Sequence, residues 1–174
     1  IYDNRNAVAV GGTVRLANGC KVQDGLVKQV GAPRSWLARF QVVEYLRAFL
    51  YGRMGLNRWG GNLIISGGVG MFYKETLVQV GGFKQNSVGE DMEIIVNIHR
   101  HMREQKERYR VVQMPEPVCY TEAPETLRSL NNQRDRWQRG LFDTLLRHRR
   151  MLLNPRYGFI GLFAFPFFVI FELL

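Results

Sequence analysis

Residues 87–121 read SVGEDMEIIVNIHRHMREQKERYRVVQMPEPVCYT, and the fold class turns on the change of period inside this stretch. From about residue 88 to 108, Met92, Ile94, Ile95, Ile98 and Met102 fall on or near one helical face. From 109 to 114 the chain becomes extended, is broken by Pro115 and Pro117, and resumes as a short strand at 118–120. Upstream, Ala7–Leu16 (AVAVGGTVRL) is a strand with a bulge or a close backbone approach at Gly11-Gly12, and Asn18-Gly19 turns the chain. A helix over 35–53 follows, with Ser35 as N-cap. Its wide aromatic side suits either packing on the domain or lying at a membrane surface. A glycine-containing loop leads to a short strand at 62–66, then Gly67-Gly68-Val69-Gly70, then a brief helix from Lys74 that stops at Gly81-Gly82. Downstream of the quoted stretch a long helix runs from about Pro124 to Arg150. Strands and helices alternate throughout, which predicts an α/β fold.

The 174 residues, 46% of them apolar, supply one core rather than two. A net charge of +9 calls for an anionic neighbour: nucleic-acid phosphates, lipid headgroups or a phosphorylated substrate. Cys20 and Cys119 stand in unrelated contexts without metal-ligand spacing, so reduced thiols are expected and a disulfide framework is not. The start at Ile1 carries no charged leader and reads as a truncation. Residues 157–174 (YGFIGLFAFPFFVIFELL) hold one acid, Glu172, and would reach about 27 Å as a helix, close to a bilayer's apolar thickness. Arg147, His148, Arg149, Arg150 and Arg156 precede them as a cytoplasmic flank would. The expected division is therefore a cytosolic domain over 1–156 and a truncated transmembrane helix over 157–174.

Three places could carry chemistry. Ser87 to Glu90 fits an S-x-x-E capping box, with Ser87 as N-cap and Glu90 reaching back. Asp91 is then a further acid at the helix mouth, where the N-terminus keeps a carboxylate ionised, as a general base requires; dipole complementation alone is the competing explanation. In QRDRW (133–137), Gln133, Arg136 and Trp137 share a face at i, i+3 and i+4. An amide, a guanidinium and an indole together suit a sugar phosphate, or form a basic surface helix whose Trp is core. Arg134 and Arg139 point elsewhere on this geometry, and Gly140 leaves room beside Trp137. Ser66-Gly67-Gly68 allows a substrate close to the backbone, or is a plain tight turn. No Walker pattern and no G-x-G-x-x-G between strand and helix occurs. His99 and His101 read as helix-surface residues.

Taken in order, SGGVGMF, the G-E-D at 89–91 and QRDRW, followed by a basic flank and an apolar run, resemble the processive branch of glycosyltransferase family 2, which includes cellulose, chitin, hyaluronan and poly-N-acetylglucosamine synthases. The resemblance implies part of a Rossmann-like GT-A domain in a multi-pass protein of the cell membrane. It also implies transfer from a nucleoside-diphosphate sugar, UDP foremost, to a growing polysaccharide with inversion. Asp91 would be the base on the acceptor hydroxyl with Glu90 beside it, and Gln133 and Arg136 would meet the donor diphosphate. Trp137 would stack near the acceptor, and Ser66, Gly67 and Gly68 would lie at its terminus. Family members hold Mg²⁺ or Mn²⁺ with a D-x-D motif; none occurs here, and Asp3-Asn4-Arg5 is no substitute. The metal ligands are expected upstream, and the fragment alone is expected to be inactive. Two alternatives stay open: a membrane-anchored basic module for nucleic acid or anionic lipid, and a non-processive family 2 enzyme.

Overall fold

The structure, a computed structural model, describes residues 6–173. In chain order it opens with β1 (Ala7–Leu16), then a hairpin of β2 (Lys21–Gln23) and β3 (Leu26–Gln29) turned at Asp24-Gly25, both with positive φ. Next comes one helical run made of α1 (Trp36–Tyr45), a π-helical stretch (Leu46–Gly52) and α2 (Arg53–Asn57). The chain continues through β4 (Gly70–Phe72), α3 (Lys74–Gln79), α4 (Glu90–Glu104), β5 (Arg110–Thr121) and α5 (Leu127–Arg147). β1 lies at the centre of a sheet ordered β4-β1-β5, parallel to β5 and antiparallel to β4. The expected α/β class is what the chain adopts.

The two glycines of β1 mark a close approach, as expected. A Cβ on Gly12 would sit 1.9 Å from Val118 Cγ2, and one on Gly11 would sit 2.6 Å from Ile65 Cγ2. Opposite them, β5 is one strand rather than two: the register moves from Gly11↔Gln113 to Thr13↔Pro117, so Pro115 and Pro117 are absorbed in a bulge at the sheet edge. Thr13 Oγ1 donates to the Met114 carbonyl across that bulge at 2.7 Å.

α4 is buried nearly all round, not on one face. Ile94, Ile95, Ile98 and Met102 pack on Val8, Ala9 and Val111 of the sheet, while Met92 and Val96 pack with Leu145 of α5. Its polar residues are therefore inside as well. His99, expected at the surface, is fully buried. Its Nε2–H donates to the Asn62 carbonyl at 2.7 Å, and the Tyr109 hydroxyl donates to Nδ1 at 2.6 Å. Burial, reinforced by the charge of Arg103, lowers its pKa to about 4, so the ring is neutral. This bond ties down Asn62 at the start of residues 62–66, in which Leu63 and Ile65 are buried and which join no strand of the sheet. The same segment leads into Ser66-Gly67-Gly68.

Several predicted boundaries move. α3 stops as expected, with Gly81 and Gly82 at φ 83° and 70° and the Gly82 amide bonded to the Leu77 carbonyl. α5 begins at Leu127, capped by Thr126, which accepts from the Ser129 amide, so Pro124 lies outside it. The Ser87 capping box does not form: the N-cap of α4 is Gly89, and Ser87 Oγ is buried without a partner. Glu90 is consequently the first helical residue and not the third.

The apolar run at the end is helical over two π-helical stretches (Ile160–Ala164, Phe168–Leu173) that flank α6 (Phe165–Phe167). Among the described residues no helix is long and apolar enough to cross a membrane. The expected spanning helix is thus not found there; Ile160, Ala164 and Phe165 are instead buried against Leu63, Met92 and Val96.

Candidate active site

Two glycines bring the site together. A Cβ on Gly140 would lie 2.8 Å from Gly89 Cα, and one on Gly89 would lie 3.0 Å from Gly140 Cα, so the mouth of α4 and the middle of α5 meet backbone to backbone. Gly140 makes room for Gly89, not for Trp137. The contact places Asp91 near the QRDRW segment, both on the wall of one cavity of about 1260 Å³. Ser66, Gly67, Gly68, Glu90, Asp91, Arg136 and Trp137 all line it. Gln133 does not; its Oε1 is buried without a partner. The four-residue ridge of α5 carries Gln133 and Trp137 on nearby but unequal headings, and the cavity takes only the second.

Asp91 follows Glu90 at the start of α4 and packs beside Gly67, whose added Cβ would be 3.4 Å from the Asp91 Cβ. Burial pushes its carboxyl above the ordinary range. The Met92 amide, donating to Oδ1 at 2.8 Å, pulls the other way, as do Arg53 and the Gly67 amide, while the charge of Glu90 pushes up again. Glu90 is exposed. A carboxylate held partly out of water beside a glycine turn can accept a proton from a hydroxyl seated in the cavity.

Trp137 is set between two neighbours. Arg134, expected to point elsewhere, lies over its ring at 4.6 Å and pairs with Glu44, while the Tyr45 ring is 6.5 Å away. Arg139 pairs with Asp135, outside the cavity. Trp137 lines the cavity and is 38% exposed, which leaves part of the indole open to a sugar ring.

The opposite walls were not foreseen. Tyr45, Phe49 and Arg53 stand at four-residue spacing along the first helical run, and their rings and guanidinium stack at 4.8 and 4.1 Å. That run packs on the domain through Leu37, Ala38, Gln41 and Tyr45, and it exposes Trp36, Phe40, Val43 and Tyr51. From the terminal run Phe159, Phe163 and Phe167 form a ladder, with ring centroids 5.0 and 6.3 Å apart and Trp59 stacked on its first ring. The four-residue spacing of both sets was legible, but nothing in it says that the two faces meet.

Among the described residues no three His, Cys, Asp or Glu side chains gather as a metal set, and Asp3 lies outside those residues. The residues described do not fit a divalent cation, so no step below passes through one.

Over 113 residues, 65% of this chain and 26% of the relative, the sequence is 33% identical to poly-beta-1,6-N-acetyl-D-glucosamine synthase of Staphylococcus aureus strain COL. It is 28% identical, over the same shares, to the synthase of that name from Staphylococcus epidermidis strain RP62A. The match thus spans about a quarter of the length of these relatives. The family pattern described as "Glycosyl transferase family group 2" matches residues 15–174. With nearly the whole chain so covered, and the E-D, SGG and R-W elements gathered on one cavity, the chain belongs to glycosyl transferase family group 2.

Proposed function

We propose that this chain forms the acceptor side of a GT-A catalytic domain that transfers a sugar, with inversion, from a nucleoside-diphosphate sugar to a growing glycan. UDP is the nucleotide to try first. The observation that carries the proposal is one cavity lined by a carboxylate held partly out of water, a glycine turn beside it and a partly exposed indole. In the step we assign, Asp91 takes the proton of the acceptor hydroxyl as that oxygen bonds to the anomeric carbon. The bond from that carbon to the diphosphate breaks, and its electron pair leaves with the diphosphate. Arg136, exposed at the rim, offers a cation to the charge growing there. Donor nucleotide and Mg²⁺ or Mn²⁺ are assigned to residues outside those described.

The name of the relatives makes β-1,6-linked N-acetylglucosamine the first glycan to test. Membrane attachment, with residues 1–156 on the cytosolic side, belongs to the same proposal. It is supported by the exposed Leu162, Ile170 and Phe171 downstream of Arg147, Arg149, Arg150 and Arg156.

The test is nucleoside diphosphate release by the full-length protein with a panel of UDP-sugars and Mg²⁺ or Mn²⁺. Turnover with one sugar is expected, and Asp91→Asn should remove it by at least about 10²-fold while donor binding survives. Undiminished turnover in the variant would take Asp91 out of the chemistry.

A further inference from the structure

The cavity is lined by as many carboxylates as guanidiniums, although the chain as a whole is strongly basic. Arg134 is paired with Glu44, and Arg47 lies 3.9 Å from Glu172. Arg136 is exposed at the rim. Arg53 differs from all three. It is only 9% exposed, its Nη1 is buried with no hydrogen-bond partner, and among the described residues no carboxylate comes within ion-pair distance of it. Phe49 covers the face of its guanidinium at 4.1 Å, so the donors left over are those along the edge, and Arg53 lines the cavity that Asp91 also lines.

A buried guanidinium without an acceptor is costly unless something completes it. Burial lowers its pKa to about 10, and the charges of Asp91 and Glu172 oppose that shift. It remains a cation at neutral pH. The diphosphate is assigned to Arg136 at the rim, and the lining as a whole has no excess of positive charge, so the inner surface at Arg53 suits a ligand without charge. A neutral ligand rich in hydroxyl and carbonyl oxygens fits both the aromatic walls and the free N–H edge.

Resting on the function proposed above, we infer that Arg53 is an acceptor-binding residue, whose edge N–H groups donate to oxygen atoms of the glycan seated beside Asp91. It holds the acceptor sugar through its N–H edge, while its charge favours the ionised form of Asp91. Binding the acceptor also completes the donor set that the protein leaves open.

The experiment compares wild type, Arg53→Met and Arg53→Lys in the full-length protein, with a short β-1,6-linked N-acetylglucosamine oligosaccharide as probe. Its Kd is measured by calorimetry, and nucleoside diphosphate release is measured against both acceptor and donor concentration. Arg53→Met should raise the oligosaccharide Kd and the acceptor KM about tenfold or more. Donor KM should stay within about twofold, because donor binding does not use the edge of Arg53. The lysine variant keeps the charge and should recover part of the loss. It also serves as the test if the methionine protein does not fold, since an unchanged acceptor KM in it overturns the assignment. Equal rises in donor and acceptor KM overturn it too. A wild type that neither binds the oligosaccharide nor releases nucleoside diphosphate from any donor overturns the function itself, and is distinct from an active wild type indifferent to Arg53.

Discussion

Asp91 is kept in a place where its charge is unwelcome. Burial raises its carboxyl pKa, and two amides and Arg53 recover only part of the lost hydration. A folded-state pKa above the unfolded value means that the folded protein holds the proton more tightly. Stability from that proton is complete below the ordinary aspartate range and is lost as pH rises through the raised pKa. Asp91→Asn, which cannot ionise, should therefore match wild type in strong acid and become the more stable protein toward pH 7, by about 1 kcal/mol. Thermal denaturation of both proteins across pH 3 to 8 measures the difference, and an asparagine variant that is less stable at pH 7 would show that the carboxylate is not strained. Arg53 presents the same economy with opposite charge: a cation held among aromatic rings with one donor unanswered. Both residues sit where local rules are broken, as functional sites tend to be.

At the scale of elements, the contact of α4 with α5 sets the site. Gly89 and Gly140 touch through their backbones, so an alanine at 140 meets main-chain atoms that have no rotamer to escape into. Gly140→Ala should cost about 1–3 kcal/mol in stability, as overpacking does. It should also lower kcat about 10²-fold, because Asp91 and Trp137 are pushed apart by a fraction of the added carbon. A denaturation midpoint and a turnover rate both equal to wild type would mean that the contact is not tight. Helix spacing made α4 and α5 legible in the sequence, and the segments SGG, E-D and R-W, named there as candidates, line one cavity. The cap of α4 was not. Ser87 and Glu90 have the spacing of a capping box, but the box would need Gly89 inside the helix, and the Gly140 contact holds it at the cap. The burial of His99 was missed for a related reason, since periodicity ranks faces by apolarity and α4 is enclosed from both sides. Its polar residues then find partners inside: His99 with Tyr109 and Asn62, and Glu93 with His148 and Lys84.

At the scale of the whole molecule, the terminal apolar run is where sequence and structure diverge most. Hydropathy alone cannot separate a helix that faces lipid from one that faces a protein core, because both present the same side chains. Here the run does two things. Phe165, Ile160 and Ala164 are buried with residues of α4 and α5, so this face is part of the core that supports Asp91. Ile170 and Phe171 stand outward, 55% and 69% exposed. The Phe159–Phe163–Phe167 ladder runs along the cavity between these two faces. If the run is integral to the domain, the two faces must respond differently to truncation. Phe165→Ala removes a ring that is 1% exposed and should destabilise the protein by about 3–5 kcal/mol, with loss of activity following loss of fold. Phe171→Ala removes a ring with few protein neighbours and should change stability by no more than about 0.5 kcal/mol. Urea midpoints of the two variants in detergent decide the matter: a large gap places the run in the core, whereas equal and small effects would mean that it rests on the domain without holding it together.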